Sequence, residues 1–244
     1  MQQNFRTTTG AFAAVFALAC APASVHATSL SDLVAGATLV LDDLVLSDFV
    51  FIDHPDASIF PDDVIMTADR IDLSLSASGE DAKLTFVIDP PTGLSIGGSL
   101  GFFEFAVDFT ASVVAPSPRT IIGAALGDGD LFASGDRADT AVEFAPGGFS
   151  NPAFDTIEIY EDPGFLAEPS RTADATAFAG TSTLLFESKI DGITQAAGEV
   201  AGLGTFALTL DLDGQPPTPN VPGPATLPLM LGALAGLGLV RRRG

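Results

Sequence analysis

The segment Phe103-Glu104-Phe105-Ala106-Val107-Asp108-Phe109-Thr110 alternates strictly, with Phe103, Phe105, Val107 and Phe109 on one side and Glu104, Ala106, Asp108 and Thr110 on the other. A side-chain period of two is that of a pleated strand buried on one face, and it cannot place an apolar stripe on a helix. Residues 71–77 repeat the pattern with Ile71, Leu73 and Leu75 inward. Residues 84–88, 156–160, 184–187 and 205–210 read as further strands. Residues 39–52 read as two short strands or one long strand with a bulge. Turn residues stand between these segments: Asp89-Pro90-Pro91-Thr92-Gly93, Ala115-Pro116-Ser117-Pro118, Pro146-Gly147-Gly148, Asp162-Pro163-Gly164 and Asp191-Gly192. Proline presets the turn dihedral and glycine supplies positive φ. No capped helix-period segment occurs between residues 28 and 213, and only 29–35 and 195–201 suit short helical turns. The pattern predicts an all-β domain over residues 28–213, an antiparallel β-sandwich or jelly roll.

The formal net charge is −21. All 31 acidic residues lie between residues 28 and 213, against the basic residues Arg70, Lys83, Arg119, Arg137, Arg171 and Lys189. Nucleic-acid binding needs a basic footprint to displace counterions, so no nucleic-acid partner is expected. Such acidity keeps a protein hydrated and gathers cations loosely. The chain has one cysteine, Cys20, and two histidines, His26 and His54. Once a leader containing Cys20 and His26 is removed, no disulfide, thiolate chemistry or ordinary zinc site is available. His54 sits in a polar stretch, and no Gly-x-Ser-x-Gly elbow accompanies it.

No cofactor is expected, and calcium is the alternative for which the chain holds a partial motif. Gly127-Asp128-Gly129-Asp130 and Asp211-Leu212-Asp213-Gly214 each set two carboxylates two residues apart beside glycine. Oxygen-rich turns of that kind suit a hard cation, although neither completes an EF-hand loop, and Asp-Gly pairs are also ordinary turn residues. A carboxylate pair of the glycosidase type is allowed by composition. With no Trp and one Tyr, however, the chain lacks the stacking rings that sugar clefts commonly use. The nineteen Phe residues fall mainly at inward strand positions, where core packing accounts for them. The expectation is a non-enzyme.

The two ends of the chain carry a different kind of information. Arg6, an apolar stretch from Ala11 to Ala19, and Val25-His26-Ala27 form a secretory signal peptide over residues 1–27, with signal peptidase cutting after Ala27. Lipidation at Cys20 is the competing reading. Residues 214–220 are rich in proline and read as an extended spacer. Residues 221–244 then combine the motif Val221-Pro222-Gly223-Pro224-Ala225, an apolar Leu/Gly/Ala run, and Arg241, Arg242 and Arg243 as a membrane stop. As a helix, Thr226–Val240 spans only ~22 Å, against a bilayer core of about 30 Å. Gly232 and Gly236 give the run one Gly-x-x-x-Gly spacing.

This tripartite tail resembles the C-terminal sorting signal of the PEP-CTERM family, most closely its VPLPA-type variant. Val221, Pro222, Pro224, Ala225 and Arg241–Arg243 match, while Gly223 stands where the variants carry Leu or Glu. The resemblance implies export by a Gram-negative bacterium and processing at the motif by an exosortase-like membrane transpeptidase. It also implies delivery to the cell surface or extracellular matrix, often in connection with exopolysaccharide and biofilm. An ordinary C-terminal membrane anchor is the competing reading of the tail. The expected role is structural or interactive. The alternatives are a calcium-stabilised adhesin or ligand-binding module, and a secreted carboxylate-based hydrolase.

Overall fold

A computed structural model describes residues 27–53, 62–90, 92–162 and 170–214. The signal peptide up to His26, the spacer beyond Gly214, the sorting motif, the tail run and Arg241–Arg243 lie outside the described residues, as does His54. In the first part of the chain the strands are β1 (Thr28–Ser29), β2 (Leu39–Leu41), β3 (Leu44–Asp53), β4 (Ile71–Ser78), β5 (Asp81–Ile88), β6 (Leu94–Gly98) and β7 (Gly101–Val113). The remainder are β8 (Thr120–Gly127), β9 (Leu131–Ser134), β10 (Asp139–Pro146), β11 (Ile157–Glu161), β12 (Asp174–Thr181), β13 (Thr183–Thr194), β14 (Glu199–Leu203) and β15 (Thr205–Asp213).

These strands build two six-stranded sheets and one three-stranded sheet. The front sheet runs β1-β4-β5-β15-β8-β12 and the back sheet β11-β10-β13-β7-β3-β2, with β6-β14-β9 forming the third. Strand pairing within all three is antiparallel. The front and back sheets face each other through their alternating apolar sides, giving the all-β sandwich that the period of two implies.

Phenylalanine rings join the layers. Phe86 and Phe206 of the front sheet stack with centroids 4.5 Å apart, and Phe144 of the back sheet packs against both at 5.8 and 6.2 Å. Phe109 continues the cluster to Phe144, Phe186 and Phe49. All but Phe49 are wholly buried. Offset and tilted contacts of this kind each add about 0.5–1.5 kcal/mol beyond area burial.

One open side of the sandwich is closed by α1 (Leu30–Val34), which buries Leu30 and Leu33 between β3 and β4. Ser29 caps its N-terminus by accepting from the Ser31 N–H. Residues 39–52 contain both features the sequence allows: two strands, and a register shift in the second between Ser47 and Val50.

A buried ion pair ties the sheets together at one end. Arg119, which follows the cis Ala115–Pro116 crossover, pairs through Nη1 with Asp43 Oδ1 at 3.1 Å, both side chains about 5 % exposed or less. Its Nη2 donates to the Glu80 carbonyl at the β4–β5 turn, and Ser117 Oγ donates to Asp43 Oδ2. This clasp spans the β2–β3 turn, the β4–β5 turn and the β7–β8 crossover.

Two sequence expectations fail. Asp191-Gly192 is not a turn but lies inside β13. The space that a Gly192 side chain would occupy is taken by the Phe103 ring, which would stand 2.4 Å from an added Cβ, so the glycine serves close packing. Residues 195–201 form no helical turn. Their backbone makes a tight turn into β14, held by Glu199, whose Oε2 accepts from Gln195 N and Ala196 N at 2.8 Å each.

Candidate functional site: the acidic face of the back sheet

On the front sheet several outward pairs are small, Ser74 opposite Thr85, Thr85 opposite Ala207, and Ala125 opposite both Thr209 and Ala175, and the outward carboxylates Asp72, Asp81 and Asp211 are spread over β4, β5 and β15. Lys83 on that face is held by Asp128 at 2.5 Å. On the back sheet, four adjacent strands present carboxylates outward. Strand β11 brings Glu158, β10 brings Asp139 and Glu143, β13 brings Glu187 and Asp191, and β7 brings Glu104 and Asp108. Lys189 of β13 is the cation among them, 3.3 Å from Asp191.

Strand register sets the rows of this face. Glu143 lies between Glu158 and Lys189, and Asp191 lies between Ala141 and Glu104. Thr140 pairs with Glu161, so Asp139 faces Asp162 one step past the ladder, and Asp162 is only 4 % exposed. Like charges set opposite each other in a sheet repel, and the proton affinities of Asp139, Glu158, Lys189 and Asp191 shift. Burial, then Asp191, Asp162 and Glu158, push the Asp139 carboxyl up to about 6 against the weaker pull of Lys189. Burial raises Asp191 despite Lys189 beside it, and burial followed by Glu143 raises Glu158. Burial would lower Lys189, but Asp191, Glu104 and Glu143 hold it above its ordinary value.

The face has a local irregularity at its centre. Between the pairs Phe186–Phe109 and Ile190–Phe105, side chains take part in the β7–β13 ladder. Val107 N donates to Ser188 Oγ at 2.7 Å, that hydroxyl donates to Val107 O at 3.0 Å, and Ser188 N donates to Asp108 Oδ1 at 3.0 Å. Burial raises the Asp108 carboxyl, the Ser188 N–H draws it back, and Glu187 raises it again, with the net above the ordinary value. Glu187 in turn accepts from Phe149 N at 2.8 Å.

The calcium motifs lie elsewhere and apart from each other. Asp128 adjoins Gly127 at one end of β8, and Asp213 pairs with Thr120 at the other, roughly 24 Å along the strand at 3.4 Å per residue. Asp128 is engaged by Lys83. Asp130 exchanges backbone hydrogen bonds with the strand start at Gly204 and Thr205. The Asp211 carboxylate lies over Gly123, where an added Cβ would meet it at 2.6 Å, and burial and then Asp81 raise its proton affinity. Asp213 is exposed. Among the described residues no group of three or more His, Cys, Asp or Glu side chains is placed to hold a metal ion.

A shallow groove opens beside β11, lined by Gly129, Leu131, Ile159, Tyr160, Glu161, Arg171 and Thr172. Its carboxylate, Glu161, accepts from Ser170 Oγ at 2.7 Å, and Arg171 sits 5.8 Å from the Tyr160 ring centroid. Among the described residues that line it, Glu161 is the one carboxylate, whereas glycoside hydrolysis uses two that face each other. Sequence reading missed the acidic face, because β10 carries no strict hydrophobic alternation beyond Val142 and Phe144. The signal that could have found it was the outward alternation Glu104, Asp108 in β7 and Glu187, Lys189, Asp191 in β13.

No family model matches the chain, and no curated protein matches it. Among solved structures it is similar to TmCBM61 in complex with beta-1,4-galactotriose, with 12% identity, 68% of this chain and 90% of that chain covered, and a TM-score of 0.26. It is also similar to the Trichoderma harzianum endoglucanase 3 from family GH12, with 7% identity, 78% and 100% coverage, and a TM-score of 0.25. At such scores the description of the fold rests on the strand pairings above.

Proposed function

We propose that this protein is an exported interaction module of the cell surface or extracellular matrix, working through the acidic face of its back sheet. The observation that supports this reading is the concentration of Glu104, Asp108, Asp139, Glu143, Glu158, Glu187 and Asp191 on one sheet face, with Lys189 as the cation between them. Burial and neighbouring charge raise the proton affinity of Asp108, Asp139, Glu158 and Asp191, and such a rise works against folding stability once the groups ionise. A cationic partner spread over the face would relieve that repulsion. The partner chemistry that fits is a cationic surface polymer, such as an exopolysaccharide bearing amines. The residues themselves act as hydrogen-bond acceptors and counter-charges, and no bond-making step is assigned to them.

Delivery forms part of the same proposal: signal peptidase removes the leader at Ala27, and an exosortase-like enzyme acts at Val221–Ala225. Intact mass of the protein from its native host tests this half. A chain ending near Pro224 supports it, and one that keeps Arg241–Arg243 overturns it.

The binding half is tested by cosedimentation of the mature protein with extracellular polymer from the producing cells. Binding should weaken with salt and disappear in the variant Glu104→Gln/Glu143→Gln/Glu187→Gln. Undiminished binding by that variant would remove the acidic face from the mechanism.

A further inference from the structure

We infer that β11 is an acid-tightened edge strand, held against β10 in mild acid and loosened as Asp139 and Glu158 ionise. This inference stands on strand geometry and does not depend on the docking reading above.

The N–H groups of Glu158 and Tyr160 point away from β10. Glu158 N donates to Asp174 Oδ2 at 3.0 Å, and Tyr160 N donates to Arg171 O at 2.8 Å. Glu143 and Glu158 therefore form a non-hydrogen-bonded pair, the kind in which opposite side chains approach most closely. One step past the other end of the ladder, Asp139 faces the buried Asp162. The β10–β11 ladder thus opposes carboxylates at Glu143–Glu158 within it, and Asp139 and Asp162 flank its other end.

The charges around this ladder in the described residues are mostly acidic, with Arg171 and Lys189 among them drawing against Glu158 and Asp139. From β10 come Asp139 and Glu143, and from β11 and its end come Glu158, Glu161 and Asp162. From β13 come Glu187, Lys189 and Asp191, and from β7, one strand further, Glu104 and Asp108. On the outer side stand Arg171 and Asp174, which already pair with each other at 3.0 Å. Lys189 is engaged by Asp191.

On its far side β11 is held by the Asp174 carboxylate and the Tyr160–Arg171 bridge. It has five residues, whereas the inner strands β13 and β7 have 12 and 13. A short edge strand lies at the low-stability end of a fold and opens without global unfolding. Repulsion that grows on ionisation therefore acts first on this strand, before the β7–β13 centre.

Native-state amide hydrogen exchange of the mature protein tests this at about pH 5 and about pH 7.5, corrected for intrinsic exchange. The reporters are Ile157, Ile159 and Glu161, whose N–H groups alternate with those of Glu158 and Tyr160 and so point toward β10. Their protection, relative to Phe105 and Ile190, should fall about tenfold or more as pH rises, the factor supplied by one pH unit of differential ionisation. In the variant Asp139→Asn/Glu143→Gln that pH dependence should shrink to about twofold or less. A wild-type protection ratio that stays constant with pH overturns the inference, and so does a double variant that keeps the wild-type pH dependence. The wild-type series decides the matter even if the double variant does not fold.

Discussion

Removing the guanidinium of Arg119 is expected to destabilise the domain more than any surface charge change. In Arg119→Met the stem is kept and the charge is lost. Asp43, 7 % exposed, then retains only the Ser117 hydroxyl, and the Glu80 carbonyl loses its donor. Breaking a buried pair by deleting one partner costs about 3–5 kcal/mol, because the other charge stays buried and uncompensated. A domain of this size loses about 2–4 °C per kcal/mol, so the melting temperature should fall by roughly 10 °C. Urea unfolding followed by circular dichroism is the suitable assay, since the chain has no Trp and one Tyr. Adding Asp43→Asn to Arg119→Met should cost about 2 kcal/mol less than the sum of the single variants, because the two residues share one interaction. The loss should persist in roughly 0.5 M salt, which screens exposed pairs but not buried ones. A cost below about 1 kcal/mol for Arg119→Met, or a cost that disappears in salt, would refute the clasp.

Further predictions address the core and the titrating groups. Phe144→Ala removes the ring between Phe86, Phe206 and Phe109 and should cost about 3–5 kcal/mol; a urea midpoint shift equivalent to less than about 1 kcal/mol would mean the two sheets do not pack through it. Asp139 has a folded-state pKa raised from 3.8 to about 6, so its contribution to stability is present below pH ~4 and lost as pH rises through about 6. Asp139→Asn should therefore stabilise the domain at pH ~8 by about 1–2 kcal/mol after allowing for solvent screening, and change little at pH ~4, when the two stability curves are compared. For Glu199, burial works to raise the carboxyl, but the N–H groups of Gln195, Ala196 and Arg137 hold it below its ordinary value. That stabilisation is present above the unfolded pKa and lost as pH falls through the folded one. The melting-temperature deficit of Glu199→Gln should accordingly be larger at neutral pH than in strong acid, and a pH-independent deficit would contradict the carboxylate role.

The sequence by itself determined which residues face the core and that the domain is built of strands. In β4, β5, β7, β13 and β15 the alternation of apolar and polar residues is local, and burial selects one face of any strand that carries it. It also indicated the turn chemistry at Asp89 and Gly93, both at positive φ in the structure. Neighbour identity was not legible. The charges at Glu143 and Glu158 are fifteen positions apart and ordinary on their own, and only antiparallel pairing sets them opposite each other. The same holds for Asp43 and Arg119, which lie in different turns until the crossover brings them together. Gly192 looked like a turn because the Phe103 ring that occupies its side-chain space lies on another strand. Side-chain period is carried by the backbone of one segment, whereas register between strands depends on long-range pairing. For that reason composition could announce an acidic protein, but only the folded sheet could set Glu104, Asp108, Asp139, Glu143, Glu158, Glu187 and Asp191 on one face.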